Sequence, residues 1–297
     1  MLRYYFIVVA SAVCGSIFGS FANVVIYRLP REGLSIIKPR YSFCPNCGKT
    51  IRWFDNIPII SYFLLAGKCR DCKGKISPRY LVVEALSAFL FAYSAHRFAV
   101  RGDWGEFAVA AALCEALIIC AFIDADFRII PDAIDIPGIM LAPIISFLVP
   151  SFVVSDFANV IHKLGFAYCP ALPFSLADRA IAAGASVFGI VAAAVLIYAV
   201  GVVGKAVFKK EAMGFGDVKL MGMIGGFLGW QNAVVGFFLG CIVGAVVGVT
   251  LILAVRRRDP HIPFGPFLAI GAVAVLFHAK EILHFLLVAY PAWLSGR

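Results

Sequence analysis

Apolar residues gather in eight runs separated by short polar stretches, at about 4–26, 80–98, 107–123, 133–150, 179–203, 218–231, 233–255 and 264–279. Most approach or exceed the roughly 20 residues that an α-helix needs to cross a bilayer, and the sixth and eighth are short. The pattern predicts an all-α polytopic membrane protein with about eight transmembrane helices. It divides the chain into a first helix (1–27), a polar loop (28–79) and a larger membrane domain (80–297). Residues 151–178, with Pro170 and Pro173, are of mixed character and read as an external loop with an interfacial piece. The C-terminal "HAKEILHFLLVAYPAWLSGR" reads as an amphipathic helix at the outer surface, anchored by Tyr290 and Trp293. No internal repeat or low-complexity segment stands out.

Composition agrees with this picture. Of the 297 residues, 62% are hydrophobic and 14% charged, against roughly 25% charged in soluble domains. The net charge of +9 raises nucleic acid as a partner, but the location of the charge excludes it. From Arg28 to Arg79 there are eleven Lys/Arg against three Asp/Glu, with no interleaved basic and aromatic residues to stack bases. A basic loop beside membrane spans is the positive-inside signal. Threading the chain with that loop inside places nineteen Lys/Arg on the cytoplasmic side and seven outside. Both termini then lie outside. The first run is too long for a signal peptide and lacks a small-residue cleavage site, so it stays as a membrane helix.

The loop holds "CPNCGK" and "CRDCKGK", which place Cys44, Cys47, Cys69 and Cys72 as two C-x-x-C pairs. Four thiolates suit a closed tetrahedral zinc site that folds the loop and leaves no coordination position for chemistry. Gly48 and Gly74, just after the pairs, suit the tight turn of a knuckle. Disulfides are the alternative, disfavoured in a reducing cytosol. The remaining cysteines, mostly in apolar runs, read as small buried hydrophobes.

Two acidic clusters carry the other chemistry. "FIDADFRIIPD" ends the third run with Asp124 and Asp126 and continues to Asp132; "GFGDVK" starts the sixth with Gly214, Gly216, Asp217 and Lys219. Ionisable groups at membrane spans are costly and mark function. Glycines in the G-x-G-D spacing permit close approach of another backbone. The helix dipole favours a charged Asp217 at an N-terminus and disfavours a charged Asp124 at a C-terminus. Two such carboxylates that share a proton can activate water and polarise a peptide carbonyl, which is aspartyl protease chemistry without a metal. The plainer alternative is local ion pairing, Asp126 with Arg128 or Asp217 with Lys219.

Six stretches in order resemble the bacterial type IV prepilin peptidases, membrane aspartyl proteases of the G-x-G-D class. They are "GSFANVVIYRLP", "DNIPIISYFLLAGKCRDC", "SPRYLVVEALSAFLF", "FIDADFRIIPD", "GFGDVKLMGMIGGFLGW" and "IPFGPFLAIG". The resemblance covers nearly the whole chain. It implies cleavage of the basic leader of type IV prepilins or type II secretion pseudopilins, after glycine and at the cytoplasmic face of the bacterial inner membrane. It also implies N-methylation of the new terminus with S-adenosyl-L-methionine as donor. By motif position it makes Asp124 and Asp217 catalytic and Cys44, Cys47, Cys69 and Cys72 zinc ligands. Asp126, Asp132, Gly214, Gly216 and Lys219 become supporting, and Gly67 and Lys68 are tied to methyl transfer. Three departures stand out: a short stretch between Pro30 and Cys44, a third carboxylate at Asp135, and a long external segment around 155–175. No glycine-rich dinucleotide fingerprint is present to hold the donor.

Other readings make different demands. A cation- or proton-coupled transporter would use the same aspartates, but interrupted helices in matching halves are missing and both acids lie at one face. A structural role in a secretion machine would need neither aspartate. A presenilin-like protease would cut inside helices and would not need the cysteine loop.

Overall fold

The computed structural model describes residues 1–152, 174–209, 213–255 and 263–285. The Pro170–Pro173 segment, Cys169 and the Tyr290/Trp293 anchors lie outside them. Among the described residues the structure is helical, with no strand beyond two isolated bridges. The helices are α1 (Leu2–Arg28), the short α2 (Ile60–Leu64), α3 (Pro78–Arg97), α4 (Trp104–Phe127) and α5 (Asp132–Leu148). They continue with α6 (Leu176–Phe208), α7 (Phe215–Leu228), α8 (Trp230–Val255) and α9 (Gly265–His284). All but α2 fall on the eight apolar runs. Five of them, α1, α4, α6, α8 and α9, are long and apolar enough to cross a bilayer by length and composition. The protein is therefore a multi-pass membrane protein.

The chain forms two compact units, Met1–Phe127 and Arg128–Arg297. The cysteine loop thus belongs to the same unit as α1, α3 and α4. In that unit α1 packs closely on α3, because Gly15 and Gly19 present bare backbone to Ser87 and Phe91: a Cβ on Gly15 would lie 2.6 Å from the Ser87 carbonyl oxygen. Small residues let helix backbones touch where lipid supplies no hydrophobic drive. At the end of α1, Arg28 is only 4% exposed. Its guanidinium donates to the carbonyls of Pro39 (2.7 Å), Ile36 (3.1 Å) and Tyr41 (3.2 Å), so the loop wraps around the last turn of the helix. The helix C-terminus favours that cation. Helix α3 starts at Ser77, which caps the Arg79 N–H, with Pro78 in the first turn.

In the second unit α7 is the most enclosed helix, buried continuously from Leu220 to Leu228. It packs against α5 and α6 through Gly222, Gly225 and Gly226. Ser186 on α6 donates to the Gly226 carbonyl at 2.7 Å. Helix α6 begins with a reciprocal cap, in which the Ser175 N–H donates to Asp178 (2.8 Å) and the Asp178 N–H to Ser175 Oγ (3.2 Å). Its Phe188, Val191, Val195 and Tyr198 are exposed, as are Phe238, Ile242 and Val246 on α8. Bare apolar faces of this kind suit acyl chains.

Candidate functional site

The first unit holds the cysteine cluster. The four sulfurs lie within 4.8 Å of one another, and Cys44 Sγ is 3.9 Å from Cys72 Sγ. A tetrahedron with Zn–S bonds of about 2.3 Å separates its sulfurs by about 3.8 Å, so this donor set fits zinc. Each C-x-x-C pair sits on its own small hairpin, and the two hairpins are alike. Phe43 bridges Thr50 in one and Lys68 bridges Lys75 in the other. The first cysteine of each pair donates its N–H across, Cys44 to Lys49 (2.9 Å) and Cys69 to Gly74 (2.8 Å). The knuckle is therefore a short internal repeat, which the sequence reading missed because besides the cysteines little more than Ile51 and Ile76 recurs at the 25-residue offset. The turn glycines also need correction. Gly48 takes φ +70° as expected, but the matching position in the second knuckle is Lys73 (φ +58°), not Gly74. Gly74 is instead pressed against Asn46, whose Nδ2 would lie 2.5 Å from an added Cβ.

The sulfurs differ in acidity. Backbone N–H groups of Cys72 and then Asp71 bring the Cys69 thiol down to about 7. At Cys72 the Gly74 N–H pulls the same way, but desolvation and hydrogen bonding to Cys69, Cys47 and Cys44 outweigh it and push the thiol up to about 11. Crowded thiols that resist joint ionisation are what a dication relieves.

Around this cluster the loop is braced by charge. Arg70 grips Asp55 with both Nε (2.8 Å) and Nη2 (2.6 Å), and that hydrogen bond holds the Asp55 carboxyl below its ordinary range. Beneath the loop, a cavity of about 380 Å³ opens between the knuckles and the facing turns of α1 and α3. Its walls include Asn23, Tyr27, Tyr62, Tyr80 and Glu84. Gly67 and Lys68 do not line it. Lys68 is the hairpin bridge residue; Gly67, at φ +64°, backs onto Tyr62, whose hydroxyl would lie 3.2 Å from an added Cβ.

The acidic residues fall in both units. In the first, Asp124 is 6% exposed in the last turn of α4. Two residues on, Asp126 pairs with Arg79 from α3, not as a matter of chain neighbourhood. Arg79 also donates to the Phe122 carbonyl at 3.0 Å. In the second unit Asp217 is 9% exposed at the start of α7. The Gly214 N–H donates to its Oδ2 at 3.1 Å, and its own N–H donates to the Gly214 carbonyl at 3.1 Å. A carboxylate in the first turn satisfies an orphan N–H and meets the positive end of the helix dipole. Lys219 pairs with Asp132 at the start of α5 and lies over the Phe215 ring. Asp135, one turn further along α5, is fully buried. Gly216 abuts Ile130, whose Cβ would be 3.1 Å from an added Cβ.

Sequence reasoning gave no role to Arg28, Arg79 or Glu84. The last carried a usable signal, a carboxylate inside an apolar helix.

A multi-pass membrane protein in which a four-thiolate loop precedes a helix opened by G-x-G-D defines a recognisable class. Residues 13–98 match the bacterial peptidase A24 N-terminal domain and residues 111–249 the type IV leader peptidase family. Among relatives, the prepilin leader peptidase/N-methyltransferase of Pseudomonas aeruginosa is 33% identical, over 93% of this chain and 91% of its own. Those of Pseudomonas putida (35%; 92% and 91%) and Stutzerimonas stutzeri (34%; 93% and 92%) bear the same name. The chain belongs to the type IV leader peptidase family. No solved structure matches it.

Proposed function

We propose that this protein cleaves the leader from type IV prepilins or pseudopilins and N-methylates the new terminus, as the names of its relatives describe. Asp124 and Asp217 are the carboxylates assigned to cleavage. The observation that carries the assignment is the hold on Asp217: a buried carboxylate fixed by the Gly214 N–H at a helix start, within G-x-G-D. A carboxylate so held is fixed in position and can take a proton from water. Asp124, buried in the last turn of α4, is the second carboxylate, assigned to donate a proton to the scissile carbonyl. Asp126 and Asp132, each matched to a cation, position their helix ends. The cut lies at the cytoplasmic face of the inner membrane, where a basic leader meets an apolar helix. Glycine at the cut lets the substrate unwind.

Cys44, Cys47, Cys69 and Cys72 would hold zinc, which supplies folding energy to the loop and no reaction step. S-adenosylmethionine is the methyl donor that this reading requires. The eight apolar helices, the five clear spans among them, cross the membrane with the cysteine loop in the cytoplasm.

The test uses purified full-length protein in detergent with a prepilin substrate, followed by mass spectrometry. Wild type should remove the leader, and Asp124→Asn and Asp217→Asn should each lose cleavage by orders of magnitude. Undiminished cleavage by both variants would refute the assignment, and ion flux in liposomes would revive the transporter.

A further inference from the structure

Methyl transfer to a new N-terminus must bring two cations together, a sulfonium and the α-ammonium of the cleaved chain. We infer that the cavity between the cysteine knuckles and the ends of α1 and α3 is where they meet, with Glu84 binding the α-ammonium. This rests on the methyl-transfer reading above.

The cavity is of suitable size, about 380 Å³ within the roughly 300–1,000 Å³ of small-molecule sites. Its charges are sorted. Asp55 is occupied by Arg70 and Asp71 by Lys49, while Arg28 is saturated by loop carbonyls. Among the described residues no basic side chain pairs with Glu84, whose Oε2 accepts the Ile59 N–H at 2.7 Å. It is the lining carboxylate left for a cationic ligand. Tyr62 and Tyr80 add aromatic rings to the lining, the side-chain type that binds organic cations.

Strain points to the same place. Ile59 has φ +63°, an outlier for a β-branched residue that persists only where surroundings enforce it. Glu84 enforces it. The Ile59 turn starts α2, α2 carries Tyr62 into the cavity wall, and Gly67 leaves room behind the Tyr62 ring. Gly67 thus serves methyl transfer by setting that wall, without touching a ligand.

The location suits the sequence of events. Glu84 is in the second turn of α3, on the helix whose Arg79 holds the end of α4 next to Asp124. A chain cut at Asp124 has only the first turns of α3 to pass before its amine meets Glu84. The loop half of the cavity is left for the donor, with Arg52 and Lys75 in its wall for a carboxylate. In the transfer the bound α-ammonium first loses a proton to water; the freed amine lone pair then forms the N–C bond while the S–C electron pair stays on sulfur.

The test combines Glu84→Gln with a map of donor contacts. Glutamine still accepts the Ile59 N–H but carries no charge. In full-length enzyme supplied with pre-cleaved pilin peptide, the variant's KM for peptide should rise about ten- to a hundredfold. Its KM for S-adenosylmethionine and its leader cleavage should hold. Ultraviolet crosslinking of labelled S-adenosylmethionine to wild type should mark peptides within 42–62 and 69–84. An unchanged peptide KM in the variant, or adducts confined to other segments, overturns the site while the methyltransferase reading stands. If Glu84→Gln loses cleavage as well, the wild-type adduct map alone decides. Cleavage without any methyl transfer by wild type overturns that reading and the site with it.

Discussion

Gly225 on α7 is where the second unit can be broken by a single methyl group. A Cβ added there would lie 2.6 Å from the Ala193 Cβ and 2.9 Å from the Gly189 carbonyl carbon on α6. Carbon atoms rest at about 3.5–4.0 Å, so the deficit is close to an ångström. The obstacles are backbone and an alanine methyl, with no rotamer to yield. Gly225→Ala must push α6 and α7 apart, and the neighbouring Ser186–Gly226 hydrogen bond of 2.7 Å stretches with them. Overpacking costs about 1–3 kcal/mol and the hydrogen bond about 1 more. At about 2–4 °C per kcal/mol for a unit of this size, the melting temperature should fall by about 5–15 °C. The control is Gly184→Ala on α6, where an added Cβ meets nothing within 4 Å. It should melt at or slightly above wild type, since alanine is the better helix former. Scanning fluorimetry in detergent reads both, and leader cleavage should fall with Gly225→Ala because α7 carries Asp217. If both variants melt like wild type, the bare-backbone contact is not what holds α7.

Three further outcomes follow from the geometry. Purified protein should carry about one zinc per chain by elemental analysis; Cys44→Ser or chelation should remove it and expose 28–79 to protease, and equal protease resistance without metal would refute a structural site. Asp55→Asn should loosen the second knuckle, seen as faster amide exchange around Arg70. Because Arg70 lowers the Asp55 pKa, this contribution is present above the ordinary carboxylate range and is lost as pH falls through the lowered value. Exchange differences between variant and wild type should therefore vanish in acid, and a difference persisting there would contradict the ion pair. At Gly216, alanine asks Ile130 to move a few tenths of an ångström and should keep cleavage, whereas the branches of valine collide with it and should abolish cleavage; equal activity of the two would show that Ile130 does not confine this turn.

What was legible in the sequence was chemistry that repeats or clusters within a few residues. Eight apolar runs became eight helices, Phe215 to Leu228 among them although it is only 14 residues long. Two C-x-x-C pairs became one cluster, since thiols at that spacing have few other uses. Charge pairing was not legible, because an arginine's reach ignores chain distance. Arg128 and Lys219 were the obvious neighbours of Asp126 and Asp217, yet Arg79 crosses from α3 to Asp126 and Lys219 turns to Asp132. The second knuckle shows the same limit in the backbone. Glycine is the default at positive φ, so Gly74 looked like the turn; closure of the hairpin demands the left-handed residue directly after Cys72, and Lys73 adopts it. Glu84 is the sharpest case. Its helix was recognised, but its value lies in a bond to the strained Ile59 twenty-five residues earlier. No local pattern announces such a bond. A carboxylate inside an apolar helix does announce that some partner must repay its desolvation, and here that partner shapes a cavity wall.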